Sequence, residues 1–206
     1  ISPAEFPWMV LQYPQISGID EVVWSGPLDR ENVDLLLHSP VRKTIARNLV
    51  EDATAVWILL ESGNRRKDRT AFDLLENELR RLEQTLKLPD PELWWGSKDT
   101  KDEQVLTIKF DIVRVSRDDA REEHLVNMLL SSEDDLKAFE SEPMVFPVYG
   151  RGIALYAIVG NGINQWNIRE AAEFLTGYCS CQAKVSNPGV DLLLSMDWDN
   201  HIENLT

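Results

Sequence analysis

Cys179 and Cys181 are the only cysteines in the chain, and a single residue, Ser180, separates them. Such a pair has three chemistries open to it. It can close into a strained, comparatively oxidising local ring, it can hold a soft metal with help from other ligands, or it can persist as two free thiols. The spacing is not that of a structural zinc site, and neighbouring cysteines cannot staple distant parts of a fold. Asp197, Asp199 and His201 follow in the same acidic tail and could add oxygen and nitrogen ligands, although three polar residues in such a tail are equally well simply solvated.

The remaining residues with chemical potential form no constellation. His38, His124 and His201 are scattered, and no serine stands in a nucleophile-elbow context. Gly160-Asn161-Gly162 lacks the glycine spacing of a phosphate loop and reads as a turn. Among 35 aspartates and glutamates no acid–base pair stands out. No catalytic residue, metal ligand or cofactor is therefore assigned, and the reading leans against an enzyme.

Charge narrows the partners. With 21 basic against 35 acidic residues the net charge is -14, so the long-range field repels phosphate backbones and anionic headgroups. Nucleic acid is not an expected partner. The longest apolar runs, Ala55 to Leu60 and Ile153 to Val159, fall far short of the roughly 20 residues of a membrane helix, so no insertion is expected. A protein partner is the remaining expectation, with its identity and the oligomeric state open. The chain begins at Ile1 rather than Met, so either a leader was cleaved or the chain was trimmed; an extracytoplasmic setting, periplasmic or secreted, is the expectation.

The elements that must position these residues can be read in order. Residues 1–7 form an arm, and Trp8 to Tyr13 a first strand ended by Pro14. A loop is expected over Gln15 to Pro27. Asp29 or Asn32 caps a short helix over Val33 to Leu37; Ser39-Pro40 starts another over Val41 to Val50, with Val41, Ile45 and Leu49 on one face. Thr54 to Glu61 is apolar without alternation, as in a central strand covered on both sides. Asp68 to Leu88 has helical periodicity through Ala71, Leu75, Leu79, Leu82 and Leu86, with Glu76–Arg80 and Glu83–Lys87 as supporting pairs. A long loop covers residues 89–104.

Val105 to Val115 alternates as a strand, and Asp118 or Asp119 caps a helix through Leu130. A short turn of helix then places Leu136 and Phe139 on the core. Met144 to Tyr149 and Ile153 to Val159 read as a hairpin about Gly150-Arg151-Gly152; Asn164 caps a helix with Ile168, Ala171, Ala172 and Leu175 inward, and Gly177 ends it. Val190 to Met196 is a candidate edge strand in an extension over residues 178–206. Of seven tryptophans, Trp8 and Trp57 fall in strands and are expected in the core, while Trp24, Trp94, Trp95 and Trp166 fall in or beside loops, where aromatics serve interfaces.

Written as elements, the order is βαβαβαββα. It resembles the thioredoxin fold with its N-terminal strand included. Two local features carry the resemblance further. Pro143 opens the fourth strand, where thioredoxin-like proteins carry a cis-proline, and Trp24-Ser25-Gly26-Pro27-Leu28 follows the first strand, where thioredoxins carry Trp-Cys-Gly-Pro-Cys. The resemblance implies an α/β domain over residues 8–177, a mixed central sheet with helices on both faces, and strands from Trp8, Thr54, Val105 and Met144 in that one sheet. It implies an interaction loop at Trp24, Ser25, Gly26, Pro27 and Pro143. Dithiol exchange needs an attacking thiolate and a resolving thiol, and Ser25 and Leu28 supply neither. The expected function is a redox-inactive binding or structural module; the alternative is thiol–disulfide exchange or soft-metal binding through Cys179 and Cys181. A division into two half-domains near Pro89 to Lys101 is a further possibility.

Overall fold

Two strands near the amino end pair only with each other among the described residues. The computed structural model describes residues 7–88, 107–177 and 189–203. Strand β1 (Trp8–Gln12) runs antiparallel to β2 (Val22–Pro27), setting Leu11 against Trp24, Val10 against Ser25 and Met9 against Gly26. This corrects two expectations. The first strand lies outside the central sheet, and Trp24-Ser25-Gly26-Pro27 is a strand rather than a loop. Glycine and proline disfavour strands, but here the Trp24 indole, two residues along on the same face, lies over Gly26 and supplies the packing that glycine lacks.

Asp29 caps α1 (Arg30–Leu37), its carboxylate accepting from the Asn32 N–H at 2.9 Å. Ser39 caps α2 (Pro40–Glu51) with proline in the first helical position, as the sequence requires. Ile45 is fully buried beneath α2, with Val41 and Leu49 partly covered beside it.

The apolar run Ala55–Glu61 is β3, and its first six residues are all buried. It lies between β4 (Phe110–Ser116), to which it is parallel, and β5 (Met144–Tyr149), to which it is antiparallel. Two sides of burial explain the absence of alternation. The connection from β3 to β4 includes α3 (Arg65–Thr85), which starts three residues before the expected Asp68 because Asn64 takes the cap. Ala71, Leu75, Leu79 and Leu82 are buried along its inner face. Each leucine contributes about 1.5–3 kcal/mol by leaving water. Glu76 pairs with Arg80 at 2.9 Å, but Glu83 turns to the sheet and accepts from the Phe110 N–H at 2.7 Å instead of pairing with Lys87.

After β4 a 3-10 turn (Ala120–Glu122), capped by Asp119, leads into α4 (Glu123–Leu130). A second 3-10 turn (Leu136–Phe139) buries Leu136 but leaves Phe139 exposed, against expectation. The partner strand of β5 is not continuous: β6 (Ile153–Ala154) pairs with Val148 and Tyr149, and β7 (Ile158–Val159) with Met144 and Val145. Pro147 is the cause. Its carbonyl accepts from the Leu155 N–H at 2.8 Å, so its ring nitrogen, on the same side of the strand, lacks the N–H a continuous ladder would use. The intervening Ala157 N–H finds Glu133 instead, at 2.7 Å.

Asn164 caps α5 (Gln165–Thr176) by accepting from the N–H groups of Trp166 and Asn167. Ile168, Ala171, Ala172 and Leu175 are buried as the periodicity requires, and the helix ends at Gly177 without a left-handed residue, φ being -85°. The edge strand β8 (Val190–Asp191) is only two residues long and pairs with β6; a short helix α6 (Trp198–Glu203), not expected from the sequence, follows. The central order is thus β4-β3-β5-β6-β8, with β7 also on β5. The α2 and α4 core residues pack on one face with Val56, Ile58 and Leu60, and those of α3 and α5 on the other with Ala55, Trp57 and Leu59. The protein is a mixed α/β structure with a central mixed sheet. No helix among the described residues is long and apolar enough to cross a membrane.

Candidate functional site

The carboxyl end of β3 meets the amino end of β5, where Leu60 stands opposite Met144 and Pro143 is buried just before it. Between β3 and α3 the chain turns through Gly63, whose φ of +82° lies in the left-handed region that favours glycine. Asp68, only 4% exposed, reaches back over this turn. Its Oδ1 accepts from the Ser62 N–H at 2.8 Å and the Ser62 hydroxyl at 2.7 Å, while Asn64 accepts from Arg66 and Lys67 N–H groups at 3.1 and 3.3 Å. The turn is fixed by side chains rather than by the sheet.

Two cations clamp the facing strands. Arg117 donates from Nε to the Glu61 carbonyl at 2.9 Å and from Nη2 to the Glu142 carbonyl at 3.0 Å. Burial pulls its guanidinium below the ordinary value, opposed by Glu140 and Asp68. Lys67 donates to the Ser141 carbonyl at 3.0 Å and pairs with the Glu142 carboxylate. The Pro143 carbonyl accepts from the Gly160 N–H at 2.9 Å. The Ser62 hydroxyl donates to the Asp68 carboxylate, which also accepts from the Ser62 N–H and so holds the side chain in the turn. Arg65 and Arg66 are exposed on the first turn of α3 and form no ion pair among the described residues. The junction is held together by hydrogen bonds and an ion pair among its own side chains and backbone.

A second polar cluster lies under the β1–β2 ribbon. Glu122, 1% exposed, accepts from the Ser39 hydroxyl and, at 2.9 Å, from the Val41 N–H. Arg42 donates to the carbonyls of Leu36 and Leu193, and its guanidinium is drawn down by burial with Glu122 opposing. His124, also 1% exposed, packs its ring 4.8 Å from that of Trp24. Neither of its ring nitrogens has a hydrogen-bond partner among the described residues. Nothing in the sequence joins Glu122 to Ser39 and Arg42, which precede it by some eighty residues. The readable signal was His124 alone, a histidine within the apolar stripe of Leu125, Met128 and Leu129.

The residues expected to form one interaction loop do not come together as one. Trp24 packs half-buried on α4 through His124, Gly26 is buried beneath the Trp24 indole, and Ser25 and Pro27 are exposed on the ribbon. Pro143 belongs to the β3–β5 junction. Trp57 is fully buried and Trp8 half-buried, whereas Trp166 is 82% exposed at the start of α5. Trp94, Trp95, Cys179, Cys181 and the His201 side chain lie outside the described residues. Asp199 pairs with Arg151 at 3.1 Å, and Asp197 accepts from Asn200. Among the described residues no group of three or more His, Cys, Asp or Glu side chains could hold a metal. A cleft of about 540 Å³ lies on α1 among Arg30, Glu31, Asp34, Leu35 and His38, directly before the Ser39 of the second cluster.

Comparison with protein-family profiles, with curated proteins and with solved structures finds no match for this chain in any of the three.

Proposed function

We propose that Ala55–Thr176 is the core of a thioredoxin-like unit that binds a protein partner without redox chemistry. Supporting the fold half of this reading are the parallel pair β3–β4, the antiparallel β5 on the other side of β3, the hairpin from β5 into β6 and β7, and α5 closing the unit. The ribbon β1–β2 is then an addition outside the unit. Within the reading, the helix start beside Pro143 is that of α3, and Ser62-Gly63-Asn64-Arg65 takes the place first given to Trp24-Ser25-Gly26-Pro27-Leu28.

One observation carries the functional half. Where thiol exchange needs a cysteine at a helix N-terminus, the junction holds a serine whose hydroxyl is locked on buried Asp68 and a clamp of Arg117 and Lys67 onto the backbone of residues 141–142. A rigid, capped turn flanked by unpaired Arg65 and Arg66 suits recognition of a carboxylate-bearing partner surface rather than turnover.

The test combines two measurements. A photo-crosslinking amino acid at position 66, introduced in the source organism, is expected to give a discrete protein adduct that is absent when it replaces Arg30. In parallel, reduction of insulin by dithiothreitol is expected to run no faster with the protein than without it. Acceleration that disappears in the Cys179→Ser/Cys181→Ser variant would replace the binding reading with thiol exchange. Equal, diffuse crosslinking from both positions would remove the junction as a binding surface.

A further inference from the structure

We propose that His124 is a proton-operated latch: neutral, it holds the β1–β2 ribbon on α4 through Trp24, and on taking a proton it lets the ribbon go. The geometry that points to this is the burial of an imidazole, 1% exposed, with neither nitrogen hydrogen-bonded, at the contact between the ribbon and the body. Neutral imidazole leaves one weak donor and one acceptor unpaired there. Imidazolium would leave a full charge and two donors unpaired, which buried sites do not tolerate without a partner.

The surrounding charges do not supply that partner. From α2 the charged neighbour is Arg42, a like charge. From the turn before α4 it is Glu122, whose carboxylate is already engaged by Ser39 and the Val41 N–H; Asp119 and Arg121 on the same turn pair with each other. From α4 itself Glu123 attracts the proton, but this side chain is solvent-exposed. From β2 the facing group is the uncharged Trp24, and an indole face replaces only part of a hydration shell. Burial, the largest influence, and Arg42 both favour neutral His124.

The ribbon is the element free to move. Among the described residues its strands pair with no other strand, and Val23, Leu11 and Trp24 pack on the core without joining the central sheet. Its polar attachments among the described residues are the Tyr13 hydroxyl on the Met128 carbonyl and the Asn32 side-chain amide on the Pro27 carbonyl, both at 2.8 Å, and the exposed Glu21–Lys137 pair. Opening exposes His124 to water, where an ordinary imidazole of pKa about 6.5 takes up a proton.

Amide hydrogen exchange of the unmodified protein at pH 7.5 and 5.5, corrected for intrinsic rates, tests the latch. One proton taken up on opening lowers ribbon protection about tenfold over this interval, with β3 and β5 unchanged. His124→Gln is expected to abolish the step. Unchanged ribbon protection at pH 5.5, or the same step in His124→Gln, overturns the proposal. Should His124→Gln not fold, the ¹⁵N shifts of His124 in the unmodified protein decide: neutral while the ribbon is closed is the expected result, and protonation at pH 5.5 with ribbon amides still protected overturns it.

Discussion

Replacing Glu122 with alanine is expected to be among the most damaging single substitutions away from the apolar core. Its carboxylate is buried, accepts from the Ser39 hydroxyl and the Val41 N–H, and supplies the negative charge beside Arg42. Removing it leaves two donors at the start of α2 without acceptors and a buried guanidinium without its counter-charge. Each hydrogen bond to a charged group contributes about 1.5–3 kcal/mol, and the Arg42 guanidinium also loses a through-space counter-charge. These overlap, so Glu122→Ala is placed at about 3–5 kcal/mol. Glu122→Gln keeps a carbonyl acceptor of the same shape and loses the charge, for about half that cost. Ser39→Ala removes the cap and one donor, about 1 kcal/mol. Urea unfolding of the three variants and of Ser39→Ala/Glu122→Ala, followed by circular dichroism, gives the cycle. In the double variant the missing hydroxyl no longer needs an acceptor, so the two losses should sum to less than their separate values by about 1 kcal/mol. A loss below about 0.5 kcal/mol for Glu122→Ala, or equal losses for alanine and glutamine, would refute the assignment of this carboxylate as the charge partner of Arg42.

Three further outcomes are expected. Gly26→Ala places a methyl group 2.5 Å from the Trp24 ring, a distance that forces the indole off His124; a loss of about 1–3 kcal/mol in thermal or urea unfolding checks it. Asp68→Ala frees the Ser62 N–H and hydroxyl and loosens the turn into α3, with about 2 kcal/mol of destabilisation and faster hydrogen exchange confined to residues 62–67. Tyr13 ionises above its ordinary value of 10 because of burial first and Asp191 second, so the folded state holds its proton longer than the unfolded chain. Its contribution is therefore complete below about pH 10 and declines above that; Tyr13→Phe should flatten the stability profile between pH 9 and 11 and lower stability at pH 7 by about 1 kcal/mol.

The parts of the fold that the chain displays locally were legible in it. The unbroken apolar run of β3, the periodicity of α3 and α5, the Ser39-Pro40 start and the Asn164 cap each encode their own element. Where a second element decides, the sequence misled. Ser25-Gly26-Pro27 carries turn chemistry, and became a strand because β1 supplies its hydrogen bonds and Trp24 its packing. Asp68 has the residue type of a cap, yet Asn64 stands one turn earlier and Asp68 is drawn to Ser62. The division between β6 and β7 was written in Pro147, a proline inside a central strand, but only the pairing shows which neighbour loses its bond. The meeting of Ser39 and Arg42 with Glu122, and of His124 with Trp24, had no local signature, since tertiary packing alone brings them together.

The Tyr13 hydroxyl reaches the Met128 carbonyl across 115 residues, and β3 finds its antiparallel partner only at Met144–Tyr149. Contacts of such separation make assembly slow relative to local structure, and synthesis from the amino end imposes an order. The β1–β2 ribbon and the six buried positions of β3 leave the ribosome long before β4, β5, α4 and α5 exist to cover them, with only α2 already made. A hydrophobic strand waiting for its neighbours is an aggregation hazard, and the nascent chain depends on the speed of its own completion or on a chaperone that shields residues 55–60 until residue 149 has emerged.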